Sequence, residues 1–373
     1  MSQTIIKPAN QAVTKTDFAT VAKSFDIGWF LPTVASMKGK LPGVAKSAGI
    51  TLASMALFLL VWQLSSSYLY NVEADSRIER VLAEQGAEEA EKMKVCIASG
   101  AISCKPNTLP SPSEVFNASQ LLLADHRVIN ADKRAFAEKT AGVNAQRAAA
   151  GQAAITYTGR PSFVDQIMTS LKTVAVGMLI AFFIAVPIGI IIGLNEGLRT
   201  AFNWFIQVFK PVSPVVWLLL VFMIVKTLTL GSDSDTSFLI SAISVGLCSM
   251  WATLVNTSVG VSSVNQDYVN VAKVLKLGIA KKIFKVILPS AIPLIFTGLR
   301  ITVSVAWMVL IAIELLAQSP GLGSFVWEEF QNGANDSNAK IIVAMFVIGF
   351  IGFLLDRVMY YVQQAVSFEK ALA

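Results

Sequence analysis

Asn270 to Pro293, "NVAKVLKLGIAKKIFKVILPSAIP", sets Lys273, Lys276, Lys281, Lys282 and Lys285 into an apolar framework, in a chain otherwise rich in lipid-soluble runs. Helical spacing divides the stretch into two short amphipathic pieces, Tyr268 to Lys276 and Ala280 to Leu288, hinged near Gly278, with Pro289 ending the second. Val271, Val274, Leu275, Phe284 and Ile287 supply an apolar stripe and the lysines a polar one. Two roles suit such a pair. It can anchor to anionic lipid, or it can dock an apolar, partly charged face in a groove of a cytoplasmic partner.

The surroundings are membrane. Of 373 residues, 54% are hydrophobic and only 14% charged, and the mean hydropathy is +0.61, which does not describe a soluble domain. The composition predicts an all-α polytopic membrane protein. About 20 apolar residues are needed to cross the hydrocarbon core, and runs of that kind predict about six transmembrane helices. They are expected at Ser47–Tyr70, Ser170–Leu194, Phe202–Leu230, Ser237–Val255, Leu294–Leu316 and Ile341–Val362. The third contains "KPVSP", whose Pro211 and Pro214 should bend or break it.

Lysine and arginine bias sets the orientation. Lys7, Lys15, Lys23, Lys38, Lys40 and Lys46 crowd the residues before the first span, and the quoted stretch is equally basic. "GSDSDT" and "SPGLGSFVWEEFQNGANDSN" carry acids and neither Lys nor Arg. Both termini are therefore expected in the cytoplasm of a cell bounded by an inner membrane. The expected organisation is a cytoplasmic tail 1–46, a first span 47–70 retained as an anchor, an external segment 71–169, a core 170–362 and a cytoplasmic tail 363–373. In the external segment, "SRIERVLAEQGAEEAEKMKV" and "SPSEVFNASQLLLADHRV" read as helices, and "TAGVNAQRAAAGQAAITYTGRPS" as loop or weak helix.

Several chemistries lack their residues. The single histidine, His126, gives no metal site and reads as a solvated surface residue beside Asp125 and Arg127. "KGKLPGVAKS" has Ala45 where a phosphate-binding loop needs glycine. The basic balance follows from membrane orientation and requires no nucleic acid. Catalytic residues and metal ligands are thus expected to be none. Cys96 and Cys104, in "CIASGAISC", are expected to form a disulfide, with Gly and Ser allowing the turn, whereas Cys248 reads as a small apolar filler. An ion-coupled transporter or channel would draw on intramembrane charges, for which Lys226, Arg300 and Glu314 are the candidates. Ser213, Thr297, Arg300, Ser304, Trp307 and Glu314 are candidates to line a solute pathway, because an anion crossing a low-dielectric core needs donors.

The stretch resembles the EAA loop of ABC importer permeases: Glu-Ala-Ala, three residues, Gly, nine residues, Ile-x-Leu-Pro. Asn270, Val271 and Ala272, then Lys276, then Val286, Leu288 and Pro289 stand at the matching positions. Asn270, Val271, Lys276 and Val286 replace the pattern's Glu, Ala, Gly and Ile. "FKPVSPVVWLLLVFMI", "LVNTSVGVSSVNQDYVNVAKVLKL", "LPSAIPLIFTGLRITVSVAWMVLIAIELL", "GLGSFVWEE" and "GFIGFLLDRVMYYVQQ" are similar, in order, to permeases for nitrate, bicarbonate, sulfonates and taurine. The wording "DYVNVAKVLKL" is most like nitrate permeases.

The resemblance implies a type I ABC importer permease fold with a periplasmic insertion. It also implies a homodimer of this subunit, two ATPase subunits holding ATP and Mg, and a periplasmic binding protein that delivers substrate. No cofactor is then expected in this chain. Loop 263–291 would couple to the ATPase through Asn270, Val271, Ala272, Lys273, Lys276, Leu277, Gly278, Leu288 and Pro289. The implied cargo is a small anion, nitrate or nitrite first, then bicarbonate, then taurine or another sulfonate.

Overall fold

A computed structural model describes residues 43–101, 103–229, 236–334 and 336–366. Most of the two expected tails, 1–46 and 363–373, and most of "GSDSDT" lie outside the described residues. Among the described residues the fold is helical throughout, and thirteen helices carry it. Two units are distinct, Met1–Leu64 and Ser65–Ala373.

The described part of the first unit is the start of α1 (Gly43–Gln85). Ile50, Leu57, Phe58, Leu60 and Val61 are all exposed there. A helix apolar on every side suits lipid rather than a core. Its 43 residues extend over about 64 Å, twice the hydrocarbon thickness, so α1 continues well past the expected limit at Tyr70.

The second unit begins with the remainder of α1, followed by α2 (Ala87–Ala98) and α3 (Pro112–Ala149). Cys96 and Cys104 are joined as a disulfide, with their Cα atoms 5.9 Å apart. Arg77 donates to the carbonyls of Cys104 and Lys105 at 3.5 and 3.3 Å. Lys105 pairs with Glu114 at 2.5 Å, and Glu114 with Ser111 forms the capping box that starts α3. Burial works to raise the Glu114 carboxyl, but Lys105 and the Ser111 N–H outweigh it and hold it below the usual range. The Ala-rich "TAGVNAQRAA" is the last part of α3 rather than loop, because Ala favours helix and the chain turns only at Gly151, where φ is +70°. The return segment lies back along α3: Asn144 exchanges hydrogen bonds with Ile155 at 2.7 and 3.1 Å, and Phe136 meets Tyr157 edge-on at 5.6 Å.

The membrane core consists of α4 (Phe163–Leu194), α5 (Glu196–Phe209), α6 (Pro214–Leu228), α7 (Ser237–Ser249) and α8 (Trp251–Ser262), then α9 (Gln266–Val274) and α10 (Ile279–Lys282). After a π-turn at Ile283–Ile287 come α11 (Leu288–Ala317), α12 (Leu322–Asn332) and α13 (Ser337–Val366). Helices α1, α4, α10 with α11, and α13 are each long and apolar enough to cross a membrane. The pairs α5–α6 and α7–α8, bent by 100° and 42°, bring the number to as many as six. The first bend falls at "KPVSP", where Ser213 accepts from the Val215 N–H and Pro214 opens α6.

Helix α8 packs between α4 and α11. Close approach depends on small residues: a Cβ on Gly177 would lie 2.9 Å from Val245, and one on Gly246 would lie 2.9 Å from the Gly177 carbonyl. The α7–α8 bend frees backbone groups that lipid cannot satisfy. Thr302 on α11 serves both sides of it, donating to the Ser249 carbonyl at 3.2 Å and accepting from the Thr253 N–H at 3.2 Å. The Thr253 and Thr302 hydroxyls meet at 2.7 Å, and both residues are fully buried.

Candidate functional site

The basic stretch forms a helical elbow. Asn265 caps α9 by accepting from the Asp267 N–H at 2.9 Å. Beyond α9, Leu277 N–H reaches back to the Ala272 carbonyl at 3.0 Å and Lys276 N–H to Lys273 at 2.9 Å, the paired bonds of a Schellman ending. Such an ending places its turning residue in the left-handed region, and Lys276 has φ +49°. The resemblance to the EAA pattern sets that pattern's glycine opposite Lys276, and a glycine takes this backbone conformation without strain. The hinge is therefore at Lys276. Gly278 has φ −62° and ψ 158°, a conformation open to any residue.

Pro289 does not end a helix. Residues Ile279–Ala317 run on as one 39-residue span, because the π-turn before Pro289 widens the helix where the proline ring would strike the preceding turn. Whatever displaces α10 therefore displaces α11. Val271, Val274, Leu275, Ile279 and Phe284 are exposed and stand among the lysines, while Ala272 and Ile287 are buried against the bundle. Asn270, Lys273, Lys276 and Gly278 are exposed, and Leu277 and Leu288 are half-buried. Tyr268, Val271, Leu275, Lys285 and Pro289 border a groove of about 330 Å3.

Most of the expected pathway residues are engaged with protein. The Arg300 guanidinium forks onto Asp356 of α13 at 2.6 and 2.8 Å and lies over the Tyr360 ring. Trp307 donates to the Ile348 carbonyl at 2.9 Å. Thr297 donates to Pro293 and accepts from Gln363, at 2.9 and 3.0 Å. Those three side chains fasten α11 to α13. Ser304 is exposed, with its hydroxyl on the Arg300 carbonyl at 3.3 Å, and Ser213 is the exposed cap of α6. Lys226 lies over Phe222.

Glu314 is 1% exposed. Its two oxygens share the Ser170 hydroxyl at 2.8 and 2.9 Å, and Oε2 also accepts from the Gly323 N–H at 2.9 Å. Ser170 in turn accepts from the Leu322 N–H at 2.9 Å. A carboxylate and a hydroxyl thus satisfy the first amides of α12, at the positive end of its dipole. No side chain fits nearby: a Cβ on Gly321 would lie 2.2 Å from the Glu314 carboxyl carbon, and one on Gly323 would lie 2.3 Å from the Ile311 carbonyl. The "SPGLGS" glycines are the counterpart of this acid. Ser319 and Ser241, 3.0 Å apart, add a tie to α7.

His126 is half-buried rather than solvated. Its Nδ1 meets Ser162 Oγ at 2.7 Å and its Nε2 meets Asn130 at 3.1 Å, which joins α3 to the cap of α4. Asp356 and Gln363 were not among the sequence candidates, although an acid inside "GFIGFLLDRVMYY" is a signal by itself. Among the described residues there is no cluster of metal-ligating side chains.

Residues 185–368 match the family described as binding-protein-dependent transport system inner membrane component. The chain is 34% identical over 202 residues to the nitrate import permease protein NrtB of Synechococcus elongatus, covering 54% of this chain and 69% of that protein. It is 35% identical over 203 residues to the bicarbonate transport system permease protein CmpB of Synechocystis, covering 54% and 68%. Among solved structures, an inward-facing form of the MetNI methionine ABC transporter aligns with 14% identity and a TM-score of 0.48, covering 54% of this chain and 95% of that one.

Proposed function

The chain belongs to the binding-protein-dependent transport system inner membrane components, as an ABC importer permease subunit, and we propose that it carries a small oxyanion inward, nitrate before bicarbonate. Relatives named for both anions support a small oxyanion, at 34% and 35% identity, and the likeness of "DYVNVAKVLKL" to nitrate permeases puts nitrate first. A soluble binding protein would deliver the anion on the outer side, and two copies of this subunit would enclose the pathway. ATP would be hydrolysed in two separate ATPase subunits, with both termini of this chain on their side of the membrane.

The observation that carries the coupling role is the exposed face of Val271, Val274, Leu275 and Phe284 on an elbow continuous with α11. Exposed apolar groups rimmed by lysine suit a groove in the ATPase better than they suit water. A displacement at α10 would pass along α11, and the Arg300–Asp356 fork would take α13 with it. Ser170 and Glu314 would hold α4 and α12 in the same moving body. On this reading Thr297, Arg300, Trp307 and Glu314 shape the walls of the pathway, and the exposed hydroxyls of Ser213 and Ser304 are the groups left to meet the anion. Weak contacts of that kind allow release.

The test is reconstitution with the ATPase and the binding protein in proteoliposomes. ATP-dependent uptake of labelled nitrate, bicarbonate and taurine is compared in parallel, with nitrate uptake expected to be fastest. Taurine accumulation without nitrate uptake overturns the cargo. Uptake driven by an ion gradient in the absence of ATPase overturns the mechanism.

A further inference from the structure

A cavity of about 300 Å3 opens between the end of α4, the first half of α5 and the last turns of α8. None of the residues expected to line the solute pathway borders it. Its floor is closely packed: a Cβ on Gly193 would lie 2.7 Å from the Ser258 carbonyl, and Ile206 seats α5 in one buried cluster with Ile192 and Leu254.

Helix α5 turns 100° from α6, so it lies across the direction in which α6 runs. Phe202, Trp204 and Val208 are exposed on it, while Arg199, Thr200 and Asn203 border the cavity. An amphipathic helix in that orientation belongs at the level of the lipid headgroups.

The polar lining has donors to spare, and no acidic residue borders the cavity. The one ion-pair partner of Arg199 among the described residues is Glu196, which is 87% exposed and 3.7 Å away. Such a contact holds a guanidinium only weakly. Asn203 accepts from Gln207 through Oδ1 at 3.2 Å, which leaves its amide N–H groups to donate.

Ser258 supplies the second, independent observation. Ser244 and Ser249 in α7 return their hydroxyls to the carbonyl four residues back, each at 2.7 Å. Ser258 is 5% exposed, and its hydroxyl has no partner among the described residues. It borders the cavity and is not sealed within the protein. A buried hydroxyl held off its own helix, beside an arginine and an amide, is placed to meet an acceptor from the cavity.

Ile192, Val255 and Val259 form the apolar side of the same cavity. A free inorganic anion gains nothing from them, whereas a phospholipid sets its phosphate on the donors and the first carbons of its chains on the apolar wall. A zwitterionic headgroup would add a cation that no lining carboxylate meets. We propose that this cavity holds the phosphate of an anionic membrane phospholipid, with Arg199, Asn203 and Ser258 as its donors.

The full-length chain is purified in detergent, and retention of dioctanoyl phosphatidylglycerol is titrated by native mass spectrometry. One lipid per chain is expected to be held, with affinity lowered about ten-fold by Arg199→Gln and about three-fold by Ser258→Ala. Arg357→Gln, which removes an exposed cation of α13 outside the cavity, is expected to leave it unchanged. Dioctanoyl phosphatidylcholine is expected to bind about five-fold more weakly than phosphatidylglycerol. Equal affinity in wild type and Arg199→Gln, or an equal loss in Arg357→Gln, overturns the proposal. Arg199 is exposed, so its variant tests the site even where Ser258→Ala disturbs packing. Melting temperature separates the sources of the anion. Phosphatidylglycerol is expected to raise it in wild type and to raise it less in both cavity variants, while sodium phosphate and sodium nitrate at the same concentration leave it unchanged. Equal protection by either free anion overturns the lipid as the ligand.

Discussion

The two ends of the α11 span are built in opposite ways. At one end the chain turns through Lys276, a lysine in a backbone conformation suited to glycine, and presents Val271, Val274 and Ile279 to the surroundings. At the other, Glu314 is buried and bonded, and a Cβ at Gly321 or Gly323 would collide with its neighbours. The first end has unmade contacts and the second has none to spare. On the proposed coupling role the span would act as a lever, which needs this asymmetry: one end free to receive a partner, and the other unable to slip.

The largest expected effect lies at the fixed end. Glu314→Leu removes the acceptor of the Gly323 amide and of the Ser170 hydroxyl and leaves both buried and unpaired. The loss is about 3 kcal/mol, read as a drop in the detergent melting temperature and as abolished uptake. Glu314→Gln keeps one acceptor and is expected to lose less than half as much. Equal melting temperatures for wild type and the leucine variant would break the comparison, since the two ends would then be equally tolerant.

At the free end the expected effect is on coupling without stability. Val274 is 82% exposed, so Val274→Asp leaves the melting temperature unchanged. A charge placed in the apolar face is expected to cut binding-protein-stimulated ATP hydrolysis about ten-fold, equivalent to ~1.4 kcal/mol of lost docking. Unaltered stimulation would mean that this face meets lipid instead of the ATPase.

Midway along the span, Arg300→Lys keeps the charge but loses the two-pronged match to Asp356. A small drop in the detergent melting temperature is expected, since the pair is about a third exposed. Asp356→Asn should cost a similar amount, and the two changes together no more than one alone, because they break the same contact. Additive losses would show that the two residues act separately.

How much of this was legible in the sequence follows from the range of the forces involved. Hydropathy is a local sum, so the runs around Val174, Leu219, Leu310 and Ile351 announced membrane helices, and Pro211 and Pro214 announced the break between α5 and α6. The elbow was legible through its alternation of lysine and apolar residues. Its turning point was not, because a lysine at φ +49° looks like any other lysine. The bonds between distant residues were also hidden. Nothing near Thr302 in sequence indicates that it closes the gap at Ser249 and Thr253, and Glu314 could not be distinguished from a helix-end charge until Ser170 was placed beside it. The end of α3 was left open between loop and weak helix for a local reason: the polar, small residues before Ala149 resemble loop by composition, while their alanines favour helix.

The smallest effect is the sharpest test of the free end. A non-glycine residue at φ +49° is strained by contact between its Cβ and the backbone, by about 1–2 kcal/mol. Replacing Lys276 with Gly removes that strain but gives the unfolded chain more freedom, which returns about 0.5–1 kcal/mol. The net gain expected is ~0.5 kcal/mol of stability. Charge confuses a single comparison, because Lys276 stands close in sequence to Lys273 and Lys281 and its loss eases their repulsion. Lys276→Ala controls for this by removing the charge and keeping the Cβ. Lys276→Val adds β-branching, which tolerates the left-handed region least. Glycine is therefore expected to melt highest and valine lowest, with alanine and lysine together between them. Chemical denaturation of the four proteins in one detergent reads the order directly. Alanine matching glycine would assign the gain to charge and leave the strained elbow without support. Alanine matching lysine would place the strain in the backbone of the Schellman turn, at the position where the EAA pattern has glycine.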